Sequence, residues 1–498
     1  QLKLRKYLIC TVLISVLLTT TAFAEIPYSS YTYDYWGNPV PAPAPYVPTR
    51  IVEGTTLGIG AFNNANDLFV SPAGKIYVAD TGNNRIVVLN DQWEVERIVD
   101  SFVMNGEEQT FNAPQGVFIT DAEHLYVADT GNGRVVELDE DGNLVRVIGK
   151  PVNEIIPENF EYKPTALVVD RAQRLYVVAT GVNQGLMEFD SEGNFRTYMG
   201  APRVSVNMYQ YFIRLFYTEE MLDRTTDFVP TEYNNIRMDE DGFIYVTTST
   251  ISVYAIQGAI SGRSTDDRVS PVRKLNPTGK DILRRRGYFP PVGDVQFFSR
   301  GYAEGGQSLL VDVCADKYGI YSVLDNKRGR IFTYDGDSNI LFIFGGKGNR
   351  LGTFNNPVAF DKVGENFIVL DKSVSGQGQI TVFEPTDYGR LVLQAVYYHN
   401  EGKYDEATAC WEEVLKYNAN SELAYIGMGK AALDQDEFYT AMKYFRLGNK
   451  RDYYSKAFKL YRKEVLSRYF GVIVAVILIL SVGLYIRAKR KGRREVVA

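Results

Sequence analysis

Residues 75–86 read KIYVADTGNNRI, and residues 124–135 read HLYVADTGNGRV. Both carry an apolar run, an Asp, a Gly-bearing turn and an Arg, and Asp129 follows Asp80 by 49 residues. Each is preceded by a shorter apolar run, NDLFV at 66–70 and QGVFI at 115–119. A third copy covers 165–181, with Ala179 where the Asp stood, and fainter copies start at Asn234, Val311 and Pro357. Self-similarity at a period of about 50 residues marks a repeat architecture. Inside each unit, short apolar alternation is broken by Asp-x-x-Gly or Asn-Gly turns, the pattern of antiparallel strands joined by tight hairpins. One small meander cannot bury its own faces, so six of them are expected to stack radially into a propeller.

The segments YVADTGNNRIVVL and YVADTGNGRVVEL resemble the core motif of the NHL-repeat family. The likeness covers residues 50–384, is strongest in the first two units, and implies an all-β six-bladed propeller. Asp80 and Asp129 stand at a strand end beside a glycine turn, where a carboxylate accepts backbone amides. Arg85 and Arg134, five residues on, can reach a carboxylate or carbonyl. These residues read as structural. The strand-like residues 50–52 (RIV) match the last strand of other units and are expected to close the sixth blade beside 380–383, leaving no open edge. Residues 25–49, rich in Tyr and Pro, read as an extended linker with no strand or helix of its own. Residues 204–222 read as an amphipathic surface helix and 257–270 as a polar loop.

The two ends speak of a membrane. Residues 1–24 have a basic start, a short apolar run and an Ala22-Phe23-Ala24 ending, the layout of a secretory signal peptide. Residues 469–486 (YFGVIVAVILILSVGLYI) carry no charge and are long enough for a transmembrane helix. Six cations follow in the basic tail 487–498, which the positive-inside tendency places in the cytoplasm. The expected protein is therefore a single-pass membrane protein of a bacterial envelope, with its folded domains outside.

From residue 386 the periodicity turns helical. Tyr404, Ala407 and Trp411 recur as Phe438, Ala441 and Phe445, each 34 residues later. That helix–turn–helix period resembles tetratricopeptide repeats. Residues 386–468 read as a TPR-like helical domain of two repeats with a capping helix that runs into the membrane span.

The composition narrows the chemistry. Apolar residues make up 45% and charged residues 23% of 498, so the chain is globular. A net charge of −6 gives no reason to bind nucleic acid. With His 2 and Cys 3, neither a three-histidine metal centre nor a two-disulfide framework is within reach. Cys314 and Cys410 read as small buried hydrophobes. Hydrolase, metalloprotease and nucleotide-binding patterns are absent from the sequence.

Ligands of propellers sit on one face near the starts of the innermost strands. The alignment places Asn66, Asp67, Gln115, Thr165, Asn234, Asn235 and Asp312 there, a polar ring suited to a sugar or a hydrated cation. Propellers resembling gluconolactonases hold calcium with acidic and amide residues, of which this ring would supply Asp67 and Asp312. The zinc of amidating-lyase relatives is held by histidines, and with His124 on a repeat turn and His399 in the helical segment that site is not expected within this propeller. Tyr397, Tyr398 and Tyr425 are expected to line a helical groove for a peptide or partner helix. Two functions remain open: a binding or scaffold protein recognising a protein or glycan beside an envelope or transport complex, and a calcium-dependent hydrolase or lactonase on the propeller face.

Overall fold

The computed structural model describes residues 26–156, 159–200, 232–262, 269–296, 306–372 and 376–495. Residues 1–24 and 204–222, read above as a signal peptide and a surface helix, lie outside the described residues.

Six antiparallel sheets form the propeller, with first strands Asp67–Val70, Gly116–Ile119, Pro164–Val169, Asn235–Met238, Leu310–Ala315 and Pro357–Val363. Each first strand touches the first strands of the blades on either side, and the sixth returns to the first, so the ring is closed. The middle strands, such as Ile76–Asp80 and Leu125–Asp129, are buried along their whole length. Outer strands such as Val95–Val99 alternate between covered and exposed positions, as an edge facing water should. The Asp-x-x-Gly turns behave as their chemistry requires. Asp190 Oδ1 accepts the amides of Glu192 and Asn194 at 2.9 Å each, and Asp239 repeats this with Asp241 at 3.1 Å and Phe243 at 2.8 Å.

The repeated Asp is the anchor of its blade. Asp80 Oδ1 accepts the amide of Asn63 at 2.7 Å, while Oδ2 takes the Asn83 amide group and Arg85 Nε at 2.8 Å each. Asp129 is held identically by Asn112, Asn132 and Arg134 at 2.7, 2.9 and 2.7 Å. Both aspartates are fully buried, and every oxygen is satisfied. The glycine two residues on is equally constrained, since a Cβ on Gly131 would lie 2.6 Å from Asn112 O.

Closure of the ring uses the N-terminal strand Tyr46–Glu53. Val52 pairs with Ile380, Ile51 with Thr381 and Arg50 with Val382, on the outer edge of the sixth blade. The preceding segment departs from the unpaired linker read in the sequence. Tyr31–Tyr33 and Pro39–Pro41 form a hairpin that joins the fifth blade through Tyr31 and Ile343. The reason is the period-two spacing of Tyr31 and Tyr33, which buries both rings and brings their hydroxyls to Asp294 at 3.2 and 2.5 Å. The fourth blade has three paired strands among the described residues, and helix α1 (Val253–Ile260) lies between its second and third. This helix takes up part of the stretch read as a loop at 257–270, because Ser252 caps it and Ile256 packs on Val269 and Val292.

Five further helices follow: α2 (Asp387–Asn400), α3 (Tyr404–Tyr417), α4 (Glu422–Asp434), α5 (Phe438–Leu447) and α6 (Arg451–Glu495). They are not an appendage on a tether. Helix α2 starts two residues after the last strand, and Gly389 lets it lie directly on the chain, where a Cβ would meet Pro45 O at 2.1 Å. One core runs from Tyr46, Phe344, Phe367 and Phe383 in the last blades into Val392, Trp411, Val414 and Met428 of the helices. Polar contacts reinforce it: Lys430 bridges to Asp335 at 3.3 Å and Asp337 at 3.1 Å, and the Tyr453 hydroxyl donates to Asp337 at 2.9 Å. Helix α6 packs its first turns on the stack through Tyr453, Ala457 and Leu460. It then continues unbroken into an exposed apolar stretch, and it is long and apolar enough to cross a membrane.

Substituting Gly131→Ala is expected to destabilise the propeller by about 1–3 kcal/mol through overpacking against backbone. Asp129→Ala should cost more, about 3–5 kcal/mol, because it strands the Arg134 guanidinium. Chemical denaturation of the two variants beside the parent measures both.

Candidate functional site

The first residues of the inner strands meet at one end of the channel, as their place in the repeat dictates. They line a cavity of about 330 Å³. Asn66, Asp67, Gln115, Thr165, Asn234 and Asn235 all border it, joined by Thr180 and Glu232. Asp312 lies one level deeper and is buried.

Much of this polar ring is engaged in joining blades. Asn66 Nδ2 donates to Gln115 O at 3.3 Å in the next blade, and its Oδ1 accepts Lys372 Nζ from the sixth blade at 2.9 Å. Asn234 Nδ2 donates to Leu310 O at 2.8 Å, and Asn235 Nδ2 to Asp312 Oδ1 at 2.7 Å. Three inner-strand carboxylates do the same work more strongly. Asp67 accepts the Val117 amide at 2.9 Å, Asp312 the Phe360 amide at 2.8 Å and Asp361 the Val70 amide at 2.8 Å, each from a neighbouring blade. Arg237 of the fourth blade forms an ion pair with Asp361 and lies 4.3 Å above the Phe69 ring, which in turn meets Phe118 at 5.0 Å. Below the cavity, then, the axis holds aromatic rings and one guanidinium among three carboxylates.

The electrostatics follow from that count. Burial raises the Asp67 pKa to about 6, against amide hydrogen bonds and Arg237 that favour its charge. Burial and the neighbouring Asp67 charge push Asp312 higher, to about 8. Burial also raises the Cys314 thiol, whose Sγ sits 3.4 Å from Asp361 Oδ1. Cys314 and Cys410 are both free thiols, the first buried on an inner strand and the second partly covered on α3.

Calcium needs six to eight oxygen ligands with lone pairs facing the ion. Asp312 instead receives Val313, Phe360 and Asn235 donors, and Asp67 is turned to Val117. Among the described residues there is no cluster of acidic, histidine or cysteine side chains arranged to hold a metal. The donor set does not fit the cation that the resemblance suggested for Asp67 and Asp312.

The three helical tyrosines have separate neighbours. The Tyr397 hydroxyl donates to Asp316 on the propeller at 3.0 Å, with Lys317 4.0 Å over its ring. Tyr398 lies under Lys403 at 5.6 Å, and the Tyr425 hydroxyl donates to Ala419 O at 3.3 Å. Tyr397 therefore helps fasten the helices to the propeller. Sequence reasoning passed over Arg237, Asp361 and Lys372. Their signal was positional, since they sit at or beside inner strands of the weakest repeats.

The pattern described as NHL repeat matches residues 62–89, the first three strands of the first blade and their entry. No curated protein matches the chain. Among solved structures, a virginiamycin B lyase from Staphylococcus aureus is similar at 9% identity and TM-score 0.39, over 68% of this chain and 99% of that one. A streptogramin B lyase is similar at 13% identity and TM-score 0.36, over 64% and 78%. A protein of unknown function from Bacteroides thetaiotaomicron is similar at 12% identity and TM-score 0.40, over 72% and 75%. Such likenesses carry no residue roles.

The carboxylate belt makes stability depend on pH. Asp67 and Asp312 hold their protons more tightly in the folded protein than in the unfolded chain, so the stability they contribute is complete below pH 4 and lost as pH rises through about 6 and about 8. Thermal melts are expected to show a fall in stability from pH 6 to pH 8. Asp67→Asn, which removes the like charge beside Asp312, should flatten it.

Proposed function

We propose that this protein is a membrane-anchored binding or scaffold protein of the cell envelope, displaying the propeller and a TPR-like helical stack outside the membrane. Its propeller would recognise a protein or glycan at the channel mouth and bring it beside a membrane complex. The observation that carries this reading is how the inner-strand carboxylates are used. Asp67, Asp312 and Asp361 are occupied by amides of neighbouring blades, which leaves a rigid polar rim with no metal-binding cluster among the described residues. A preformed cavity of about 330 Å³ rimmed by amides and hydroxyls suits hydrogen-bonded recognition. The 34-residue recurrence of Tyr404, Ala407 and Trp411, which falls on the alternate helices α3 and α5, supports the TPR-like reading.

Cations flank both ends of the apolar stretch, with Lys456, Lys459, Arg462, Lys463 and Arg468 before it and six after it. Charge asymmetry alone therefore does not set the direction. The outward placement of the propeller rests on reading residues 1–24 as a signal peptide.

Two measurements test the proposal. With Cys410→Ser as background, Val152→Cys, on a fully exposed loop, should react with a membrane-impermeant maleimide on intact cells, whereas Ala498→Cys should react only after lysis; the reverse pattern overturns the orientation. A photocrosslinking residue at Gln115, on the channel rim, should yield a discrete adduct in native membranes. The same probe at Val103, exposed on the separate hairpin of Ser101–Met104 and Glu107–Thr110, should not. Equal adducts at both positions, or none at Gln115, would overturn recognition at the rim.

A further inference from the structure

A second cavity lies far from the channel rim in the chain's connectivity, where the N-terminal hairpin, the fifth blade and the helical stack meet. Its volume is about 240 Å³, below the usual range for drug-sized ligands and fit for a smaller molecule. Aromatic residues Tyr33, Trp36, Tyr288 and Phe289 line it, and the Trp36 side chain, 70% exposed, leaves it open to water. Its charged lining residues are Asp34 and Glu422, with no lysine or arginine among them.

Glu422 supplies the carboxylate of this cavity. It opens helix α4, just after the capping Ser421. Its Oε1 accepts the Asn449 side-chain amide at 2.5 Å, while its Oε2 is buried and makes no hydrogen bond of ordinary geometry, with the Tyr288 hydroxyl and the Tyr35 amide its nearest donors. A buried carboxylate oxygen left unmatched carries a desolvation cost that a cationic donor would recover. Burial, and secondarily the negative Asp34, raise its pKa, whereas Asn449 and the nearby Tyr288 hydroxyl favour its charge. Lys450 Nζ already lies 5.1 Å over the Tyr288 ring, so the ring face that adds to the same preference is that of the exposed Trp36, because ring faces attract cations.

We propose that this cavity binds a small organic ammonium with an apolar or aromatic body, its charge on Glu422 and its body against Trp36 and Tyr288. The site is independent of the channel rim, and its ligand differs in class from a protein or glycan.

Full-length protein in detergent micelles should be titrated with three probes of one shape: tyramine, tyrosol with a hydroxyl in place of the ammonium, and the anionic 3-(4-hydroxyphenyl)propionate. Tyramine is expected to bind at least tenfold tighter than tyrosol, and the propionate not at all. Glu422→Gln should erase the amine-over-alcohol preference, and Trp36→Ala, at an exposed position, should weaken both neutral and cationic probes several-fold. Tyramine affinity should also drop as pH is lowered through the raised Glu422 pKa, a drop absent in Glu422→Gln. Equal binding of the three probes, binding of none, or a tenfold preference that survives Glu422→Gln would overturn the proposal. If Glu422→Gln does not fold, the probe series on the parent and on Trp36→Ala still decides it.

Discussion

Three of the six blade joints, first to second, fifth to sixth and sixth to first, are held by a carboxylate that reaches across and accepts a backbone amide. The reach occurs on the inner strands, at Asp67, Asp312 and Asp361, and within blades at Asp80 and Asp129. A propeller blade has little sequence of its own to define where its neighbour stops, since apolar faces slide. A buried carboxylate does not, because its oxygens must be matched and only one register matches them. The ring gains a fixed geometry, and the carboxylates are no longer free for chemistry at the axis.

This explains what the sequence could and could not disclose. The wheel was legible because the Tyr-Val-Ala-Asp-Thr-Gly units recur and because residues 50–52 look like a last strand. The N-terminal hairpin was not, since proline and tyrosine content masked a period-two pattern that pays off only when Asp294, some 260 residues away, supplies the partner for Tyr31 and Tyr33. Six residues of the polar ring border the channel-mouth cavity and Asp312 is buried beside it, but the partners that hold them were hidden. Nothing local to Asn66 announces Lys372, and nothing local to Asp361 announces Arg237, because both pairs are made by ring closure.

The helical stack shows the same dependence on distant partners. Two helical hairpins of this length are marginal by themselves. Here Trp411 and Val414 share a core with Phe344 and Phe383, and Lys430 answers two aspartates of the fifth blade. Tyr397 illustrates the consequence: its hydroxyl donates to Asp316 of the propeller, so an aromatic residue of the helices takes part in the joint.

That joint gives helix α6 mechanical meaning. At about 1.5 Å per residue its 45 residues make a rod near 70 Å long, with no proline along it. One end is welded to the stack, and the stack to the wheel, so no swivel separates the apolar stretch from the channel axis. Any lean imposed on the rod by its surroundings is passed on as a matching lean of the wheel, and the rim faces a direction set by the rod.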